Sequence, residues 1–327
     1  MPLPARLAAV AASQAGLFTA SQAVAAGYTH GEIARLRRAG EWLRLRHTVY
    51  IERSLMPSDP VGTHLLLVRA TLLTLTAVAA ASHESSALLL DIALLEADSS
   101  IGHITRAGGA SSRTAGGIIY HDASLPASQL TKVDDMLATS ATRTVIDLAR
   151  RTSFEAALVA AESALNKGLT TLAELDEVLG YCVDWPGARN AGRVVAFASP
   201  YSESPGETLG RIAFDVLGVP QPHQQVYIFD EHGLIARCDY FWEEHHTVGE
   251  FDGKVKYTGA RPRDVVLEEK KREDRMRNAG LEVCRFDWPE SRNCSESVRY
   301  KAFSAFDRAK NPRANRSYRF KLQPPAR

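Results

Sequence analysis

The sequence has few cysteines and no long uninterrupted apolar run. Its four cysteines are scattered along 327 residues, and no two of them form a CxxC pair. This spacing argues against a zinc ribbon or a disulfide framework and fits a reducing cytosol. The most apolar stretch, HLLLVRATLLTLTAVAAAS, is interrupted by Arg69 and is too short on either side to span a bilayer. Because the first residues lead into an amphipathic pattern rather than an export signal, we predict a cytoplasmic protein without a membrane partner.

The net charge is close to zero overall but is unevenly distributed. The chain carries +1 in total. Residues 1–53 carry +4, residues 54–250 carry −12 and residues 251–327 carry +9. Basic ends around an acidic middle favour contact between the ends and an anionic polymer such as a nucleic acid. The alternative is a basic tail that only keeps the chain soluble.

The N-terminal stretch GLFTASQAVAAGYTHGEIARLRRAGEWLRLRHTVYI (16–51) predicts two short helices and a hairpin. Ser21 is placed to cap the first helix, which would stop at Gly27. Thr29 and Glu32 have the spacing of a capping box and would open the second helix. The run that follows alternates apolar and polar residues, as a hairpin strand does.

Helix, turn, helix and hairpin in this order, with arginines on the second helix and the hairpin, are typical of a winged helix-turn-helix. The second helix would enter the major groove of DNA, and the hairpin arginines would contact phosphates. A small helical domain with solvated arginines is the alternative. The predicted DNA-binding residues, including two from a charged helix further along the chain, are His30, Arg35, Arg38, Arg44, Arg46, Lys270 and Lys271.

This stretch resembles the N-terminal winged-helix domain of AbiE-type abortive-infection antitoxins. Residues 46–50, RHTVY, stand where that domain ends in "R…GVY". His47 and Thr48 replace the usual glycine, so the turn of the wing is expected to differ. The segments SHESSALLL and TRTVIDLA are similar to central segments of the same proteins. The resemblance implies DNA binding and transcriptional autoregulation, with a toxin partner or its promoter as further partners.

The middle of the chain indicates architecture rather than chemistry. Its pattern predicts a Leu/Ala-rich helix over 62–81, followed by alternating helices and strands. The residues HES at 83–85 have no catalytic partner at motif spacing and are predicted to cap a helix. Arg143 and Asp147 are four residues apart on a predicted helix, which predicts a surface ion pair. The Ser/Pro/Gly-rich stretch 198–206 marks a domain boundary.

The C-terminal part predicts the order α-β-β-β-α-β. If the second hairpin turns between Glu244 and His245, then Asp239 faces Glu250, and Arg237 faces Asp252. Directly opposed carboxylates repel each other unless a proton or a cation lies between them. Hard divalent cations bind carboxylate oxygens, so this pair is a candidate metal site.

This arrangement resembles the PD-(D/E)xK restriction-endonuclease-like superfamily. The segments SPGE, GVPQPHQQV, RCDYFW, GEFDGKVKY, EEKKREDRMRNAG and EVCRFDW are similar to the nuclease-like domain related to very-short-patch-repair endonucleases. The resemblance implies Mg²⁺ (or Mn²⁺) bound by Asp239 and Glu250. It also implies that Lys254 neutralises charge on the transferring phosphate and that Glu207 approaches the metal.

The sequence departs from the superfamily pattern after Glu250. The position of the usual lysine holds Asp252, and a D-x-K frame exists only as Asp252-Gly253-Lys254. Two assignments follow: Asp239 and Glu250 as ligands with Lys254 displaced, or Asp252 and Lys254 as the motif. The metal ligands are therefore predicted among Asp239, Glu250 and Asp252, with the first assignment preferred.

The predicted fold is α/β multidomain, with a winged helix-turn-helix, an α/β middle domain and a restriction-endonuclease-like α/β domain. The predicted boundaries are 1–55, 56–200 and 201–300 for these domains, and 301–327 for a basic C-terminal tail. The predicted function is DNA binding with metal-dependent hydrolysis of DNA. The alternative is a non-enzymatic antitoxin-like regulator with an inactive nuclease fold.

Overall fold

The protein is a mixed α/β chain with three β-sheets among its described residues. The computed structural model describes residues 3–96, 98–108, 112–253, 263–311 and 316–323. Among the described helices, none combines the length and the apolar character that a bilayer crossing needs.

Contacts divide the chain into two compact units, each assembled from two stretches. The first unit is Met1–Thr152 with Ala173–Gly192, and the second is Ser153–Leu172 with Arg193–Arg327. The four-part division predicted from the sequence is finer than this one and stays a prediction.

The first unit begins with a small module of helices and a three-stranded sheet ordered β1-β3-β2. Its core contains Leu7, Phe18, Ile33, Leu36 and Trp42, all buried. The hairpin β2-β3 follows the second of two consecutive helices, as the winged helix-turn-helix prediction requires. The elements are α1 (Ala5–Ser13), β1 (Leu17–Thr19), α2 (Ala20–Ala25), α3 (His30–Arg38), β2 (Trp42–Arg46) and β3 (Val49–Glu52).

Both helices of the turn begin with a capping box. Thr29 and Glu32 form the predicted box at the start of α3, where Thr29 Oγ1 accepts from the Glu32 N–H. The prediction of Ser21 as the cap of α2 is wrong. Thr19 is the cap, and its Oγ1 accepts from the Gln22 N–H at 3.2 Å. The reason is that β1 ends at Thr19, so α2 begins directly after it and already contains Ser21.

The remainder of the first unit is built on a six-stranded mixed sheet ordered β6-β7-β5-β4-β9-β8. Buried apolar residues of its core include Val68, Ile104, Ile118 and Met136. The elements are α4 (Pro60–Leu72), β4 (Ala79–Ala81), α5 (His83–Leu89), β5 (Gly102–Arg106), β6 (Arg113–Ala115), β7 (Ile118–Asp122), β8 (Leu130–Val133), β9 (Met136–Thr139) and α6 (Ala141–Ala149).

The helix predicted over 62–81 is shorter than its pattern suggests. α4 ends at Leu72, and Ala79–Ala81 forms the strand β4. β4 lies between β5 and β9, paired antiparallel with the first and parallel with the second. Pairing on both sides therefore overrides the helix propensity of three alanines.

Three helices complete the chain between the two sheets: α7 (Phe154–Asn166), α8 (Leu172–Tyr181) and α9 (Ala188–Phe197). α7 belongs to the second unit, and α8 belongs to the first from Ala173 onward. The loop after α8 packs tightly within the first unit. Gly187 has a φ of +85°, and a Cβ there would lie 2.1 Å from the Arg150 carbonyl oxygen. Only glycine fits this contact.

The second unit confirms the predicted order α-β-β-β-α-β. Its five-stranded sheet is ordered β13-β12-β11-β10-β14, with only the β12-β13 pair parallel. The elements are α10 (Pro205–Val216), β10 (His223–Asp230), β11 (Gly233–Trp242), β12 (Thr247–Asp252), α11 (Arg263–Asn278), β13 (Glu282–Asp287), α12 (Trp288–Arg292), α13 (Glu296–Ala309) and β14 (Arg319–Lys321).

Two apolar clusters cover this sheet. Phe214 of α10 and Phe306 of α13 pack with Trp242 in one cluster. Met276 of α11 packs with Phe241 in the other. Since neighbouring strand residues point to opposite faces, Phe241 packs on one face of the sheet and Trp242 on the other. The sheet is therefore enclosed between helices on both sides.

The segment predicted as a basic tail, 301–327, contains regular structure. Its first residues continue α13, and β14 adds a strand at the edge of β10. Phe320 and Tyr318 pack against the sheet. Of its basic residues, Arg313 and Arg327 lie outside the described residues.

Candidate nucleic-acid interface and carboxylate site

The outer surface of α3 is basic. Ile33 and Leu36 are buried and fix this helix on the module, so the intervening positions face solvent. Arg35 and Arg38 are exposed, as is His30 at the start of the helix. Arg37 is exposed beside them, although the sequence prediction did not include it. The sequence could have indicated Arg37, since it lies between Arg35 and Arg38, which were both predicted to face outward.

The two arginines predicted on the wing have different environments. Arg44 is exposed on β2. Arg46 is partly buried, and its Nε donates to Thr71 Oγ1 at 2.6 Å. Burial lowers the pKa of Arg46. This guanidinium is thus engaged inside the first unit, which favours a structural role over the predicted phosphate contact.

Asp239 and Glu250 lie on neighbouring strands of the second unit. The predicted register is confirmed where Trp242 pairs with Thr247 and Tyr240 with Gly249. One further step in this register places Asp239 opposite Glu250. The Phe251 N–H donates to Asp239 Oδ2 at 2.8 Å, which orients this carboxylate across the hairpin.

The carboxylates of this region bind protons more readily than isolated ones. Burial raises the pKa of Asp239 to about 6, and the nearby Glu207 carboxylate adds to the rise. Burial also raises the pKa of Glu250, against the opposing effect of Arg272 and Arg285. Clustered, desolvated carboxylates of this kind are common at functional sites because they gain from a proton or a cation.

Glu207 is held at the start of α10 by a network of hydrogen bonds. Its carboxylate accepts from Ser204 Oγ at 2.7 Å, from the Glu203 N–H at 3.0 Å and from Gln225 Nε2 at 2.8 Å. Ser204 is the helix N-cap, as predicted. Burial raises the pKa of Glu207. Its local bonds therefore show a capping role, and its influence on Asp239 is electrostatic.

The predicted pairing of Arg237 with Asp252 is wrong. Arg237 forms two hydrogen bonds of 2.6 Å with the Glu203 carboxylate. Asp252 lies 3.2 Å from Arg285 on the parallel strand β13. β12 pairs with β13 on the side away from β11, and the sequence pattern of one hairpin carries no information about a partner on that third strand.

Arg285 is the main cation beside these carboxylates. It lies directly opposite Glu250 in the β12-β13 register, with Nη2 at 3.6 Å from Glu250 Oε2. It also bonds Glu269 and Glu273 of α11. Arg272 of the same helix donates to Glu250 at 3.1 Å. Glu250 thus already has positive charge on two sides.

Of the three lysines predicted to contact nucleic acid, two belong to the part of the chain that the structure describes. Lys254 lies outside the described residues. Lys270 and Lys271 are exposed on α11. Their exposure is compatible with the predicted contact to phosphates, and the same exposure is ordinary for a charged helix surface.

The residues present fit a hard divalent cation in charge and ligand type. Asp239 and Glu250 offer carboxylate oxygens, and Mg²⁺ in proteins is commonly held by one or two carboxylates together with water. Burial is the main cause of the raised pKa of both groups, and a bound cation would favour their charged forms.

The first unit contains a cluster of histidines that the sequence prediction did not identify. His83, predicted within a helix cap, is buried beside His103 and His121. Ser82 takes the N-cap position, so HES at 83–85 lies inside α5. No local spacing signals this cluster, because its members come from three separate elements.

The Arg143–Asp147 pair, predicted on the surface, is buried. Arg143 Nε donates to Asp147 Oδ2 at 2.8 Å, and the two side chains are 1% and 2% exposed. Trp185 covers this arginine, with its ring 4.7 Å from the guanidinium carbon. The pairing was predicted correctly, and only its burial was missed.

Residues 5–52 match the family described as "Transcriptional regulator, AbiEi antitoxin". An antitoxin-type regulator domain therefore occupies the N-terminal module. Among solved structures, the chain is similar to the RV2827C protein from Mycobacterium tuberculosis, at 15% identity and a TM-score of 0.41. That similarity covers 68% of this chain and 85% of the other. No curated protein sequence matches the chain significantly.

Proposed function

We propose that the chain is a DNA-binding regulator that also hydrolyses DNA phosphodiester bonds with Mg²⁺ or Mn²⁺. The DNA-binding part is supported by the antitoxin-type match over residues 5–52 and by the exposed arginines of α3. In this proposal α3 enters the major groove, and Arg44 on the wing contacts a phosphate. The family description also supports a toxin partner, or the promoter of that toxin, as a further partner.

The hydrolytic part is supported by one observation, the pair of partly buried Asp239 and buried Glu250 with raised pKa values. These two carboxylates would hold the metal ion, with Asp252 as the third candidate ligand. A bound ion would polarise the scissile phosphate and lower the pKa of the attacking water. The Phe251 N–H fixes the orientation of Asp239, and Lys254 is proposed to neutralise charge on the phosphate.

A second candidate function is regulation without hydrolysis. It is favoured by the contacts of Glu250 with Arg272 and Arg285, which already compensate its charge. A metal ion would have to compete with two guanidinium groups for this carboxylate. In that case the second unit would hold DNA or a protein partner without cleaving it.

DNA binding is tested with Arg35→Ala and Arg38→Ala in a fluorescence-anisotropy titration at several salt concentrations. Each change should weaken binding and reduce the slope of log K against log salt by about 1, because each removes one positive charge from the helix that faces the DNA. The matched control is Arg189→Ala, an exposed arginine elsewhere in the same unit. An unchanged slope in both variants would contradict a role of α3 at the DNA.

Hydrolysis is tested by incubating the protein with plasmid DNA in Mg²⁺, in Mn²⁺ and in chelator. Nicking should require metal and should disappear in Asp239→Asn and Glu250→Gln, while the exposed α11 carboxylate in Asp274→Asn serves as the control. Because the pKa of Asp239 is about 6, cleavage should increase as the pH is raised through 6. Binding without nicking by the wild type would support the non-enzymatic regulator.

A further inference from the structure

The histidine cluster is positioned by the sheet of the first unit. β5 and β7 are parallel neighbours in which His103 pairs with Ile119, so His121 projects from the same face two residues further along. His83 comes from the first residue of α5, with a φ of +50°. A non-glycine residue pays an energetic cost for this conformation, and such strain tends to occur at functional sites.

One ring nitrogen of each of the three histidines lies within 4.8 Å of the others. Nδ1 of His103 is 3.0 Å from Nε2 of His121, and the rings of His83 and His121 are stacked 3.8 Å apart. Three imidazoles from different elements thus lie together inside the unit.

The opposite nitrogens of two of these rings have polar neighbours that would fix a metal-binding tautomer. His83 Nδ1 lies 3.0 Å from Ser82 Oγ, which leaves Nε2 for a ligand. His103 Nε2 lies 3.2 Å from Glu84 Oε2, which leaves Nδ1. A histidine that binds metal usually directs its other N–H to a carboxylate, carbonyl or water, as in this arrangement.

The protonation state of the cluster suits a metal ligand, which must be a neutral imidazole. Burial lowers the pKa of His83, His103 and His121, and the value for His121 is about 3. The three rings are therefore neutral near neutral pH. In the absence of metal they can share only one hydrogen bond between His103 and His121.

The cluster opens onto a cavity of about 590 Å³. His83 and His121 line it together with Arg143, Arg150 and Arg151. Asp147 compensates the first two of these arginines. Arg151 has no side-chain hydrogen bond or ion pair within the part of the chain that the structure describes.

Two polar atoms in the cavity wall are buried without a hydrogen-bond partner in the described structure. They are Thr105 Oγ1 and Asp122 Oδ1. Buried polar atoms are nearly always satisfied, so unpaired ones beside a cavity indicate that a polar ligand or water belongs there. This observation is independent of the histidines.

We propose that His83, His103 and His121 bind one divalent transition-metal ion, typically Zn²⁺, whose remaining coordination position faces the arginine-lined cavity. Three nitrogen ligands with one open position are typical of zinc sites that bind water or a small anion. The rings of His83 and His121 are nearly parallel, so one of them must rotate for the nitrogens to converge on the ion. The site is separate from the proposed carboxylate site, which would take a hard cation through oxygen.

The test uses the untagged full-length chain, stripped with chelator and titrated with Zn²⁺ and Co²⁺. We expect one ion per chain and, with Co²⁺, the intense visible absorption of a four-coordinate site. His121→Gln and His103→Gln should weaken Zn²⁺ binding at least 10-fold. His232→Gln, which changes an exposed histidine in the β10-β11 turn, should leave it unchanged.

A second variant addresses the case in which the histidine variants do not fold. Glu84→Gln keeps all three ligands and should reduce Zn²⁺ affinity about 10-fold to 100-fold through the orientation of His103. The absence of stoichiometric binding by the wild type would overturn the proposal. So would a weak, six-coordinate Co²⁺ spectrum, or equal Zn²⁺ affinity in folded His121→Gln and His232→Gln.

Discussion

Thr48 shows how a single residue can keep a backbone geometry to which it is poorly suited. It lies in the turn of the wing with a φ of +67°, in the left-handed region. A β-branched side chain is disfavoured there because its Cβ crowds the backbone. The sequence resemblance implies glycine in this turn. The turn has a left-handed φ, which glycine adopts more readily than threonine.

Thr48→Gly should therefore stabilise the protein, by about 1 kcal/mol. The substitution relieves the steric conflict at Cβ and keeps the carbonyl that accepts from the Ala20 N–H. The free energy of unfolding in urea, monitored by intrinsic tryptophan fluorescence, measures the effect. Thr48→Ala is the control, because it removes the same hydroxyl but retains Cβ. A gain of equal size in both variants would show that strain at Cβ is not the cause.

Single residues were predicted well from the sequence where their partner is local and poorly where it is distant. The Thr29–Glu32 capping box depends on four consecutive residues and was predicted correctly. Arg237 and Asp252 each bond a residue from a different element than the one assumed. For charged side chains with several reachable partners, spacing along the chain does not decide which pair forms.

At the scale of helices and strands, the second unit was easier to predict than the first. α10 begins with Ser204 as its N-cap and Pro205 as its first residue. Gly218, with a φ of +67°, follows its last turn. Such signals act locally, so the predicted order of elements holds. The strand β4 has no signal of its own, since three alanines become a strand only between β5 and β9.

The start of α2 provides a direct test of the corrected cap. Thr19→Ala should destabilise the N-terminal module by about 1 kcal/mol, because it leaves the Gln22 N–H without its acceptor. Ser21→Ala, at the position predicted from the sequence, should change stability by a few tenths of a kcal/mol at most. Urea unfolding of both variants measures the difference. A larger loss in Ser21→Ala would restore the original assignment.

At the scale of the whole molecule, the histidine cluster makes stability depend on pH. Burial lowers the pKa of His121 from 6.5 to about 3 in the folded state. Between these two values the unfolded chain binds a proton that the folded chain does not. The stability from the neutral imidazole is therefore fully present above pH 6.5 and is lost as the pH falls toward 3.

The free energy of unfolding, measured in urea with chelator present, should thus fall between pH 7 and pH 5. The fall should be at most about 1.4 kcal/mol per pH unit for each proton that the unfolded chain takes up. His121→Gln should show a smaller dependence over the same interval, because glutamine does not titrate. His232→Gln, with its exposed histidine, should behave as the wild type does. An identical pH dependence in His121→Gln would show that this imidazole is not the cause of the loss of stability at low pH.

The two candidate sites differ in how far the sequence could predict them. Asp239 and Glu250 belong to one hairpin, so alternation and a turn were enough to predict the register of their two strands. His83, His103 and His121 meet only because β5 pairs with β7 and α5 packs beside them. No periodicity within one element contains that information, and the cluster became visible only with the fold.

The composition of the first unit from two stretches of chain has a consequence for how the protein is made. The ribosome releases Ser153–Leu172, which belongs to the second unit, before it releases Ala173–Gly192, which completes the first. Arg143 is covered by Trp185 from that later stretch. While α7 emerges, the Arg143–Asp147 ion pair of the nascent first unit therefore lacks the Trp185 ring that covers Arg143 in the folded protein. A gene truncated after codon 152 would encode every strand of the two sheets described in the first unit and still yield an incomplete unit.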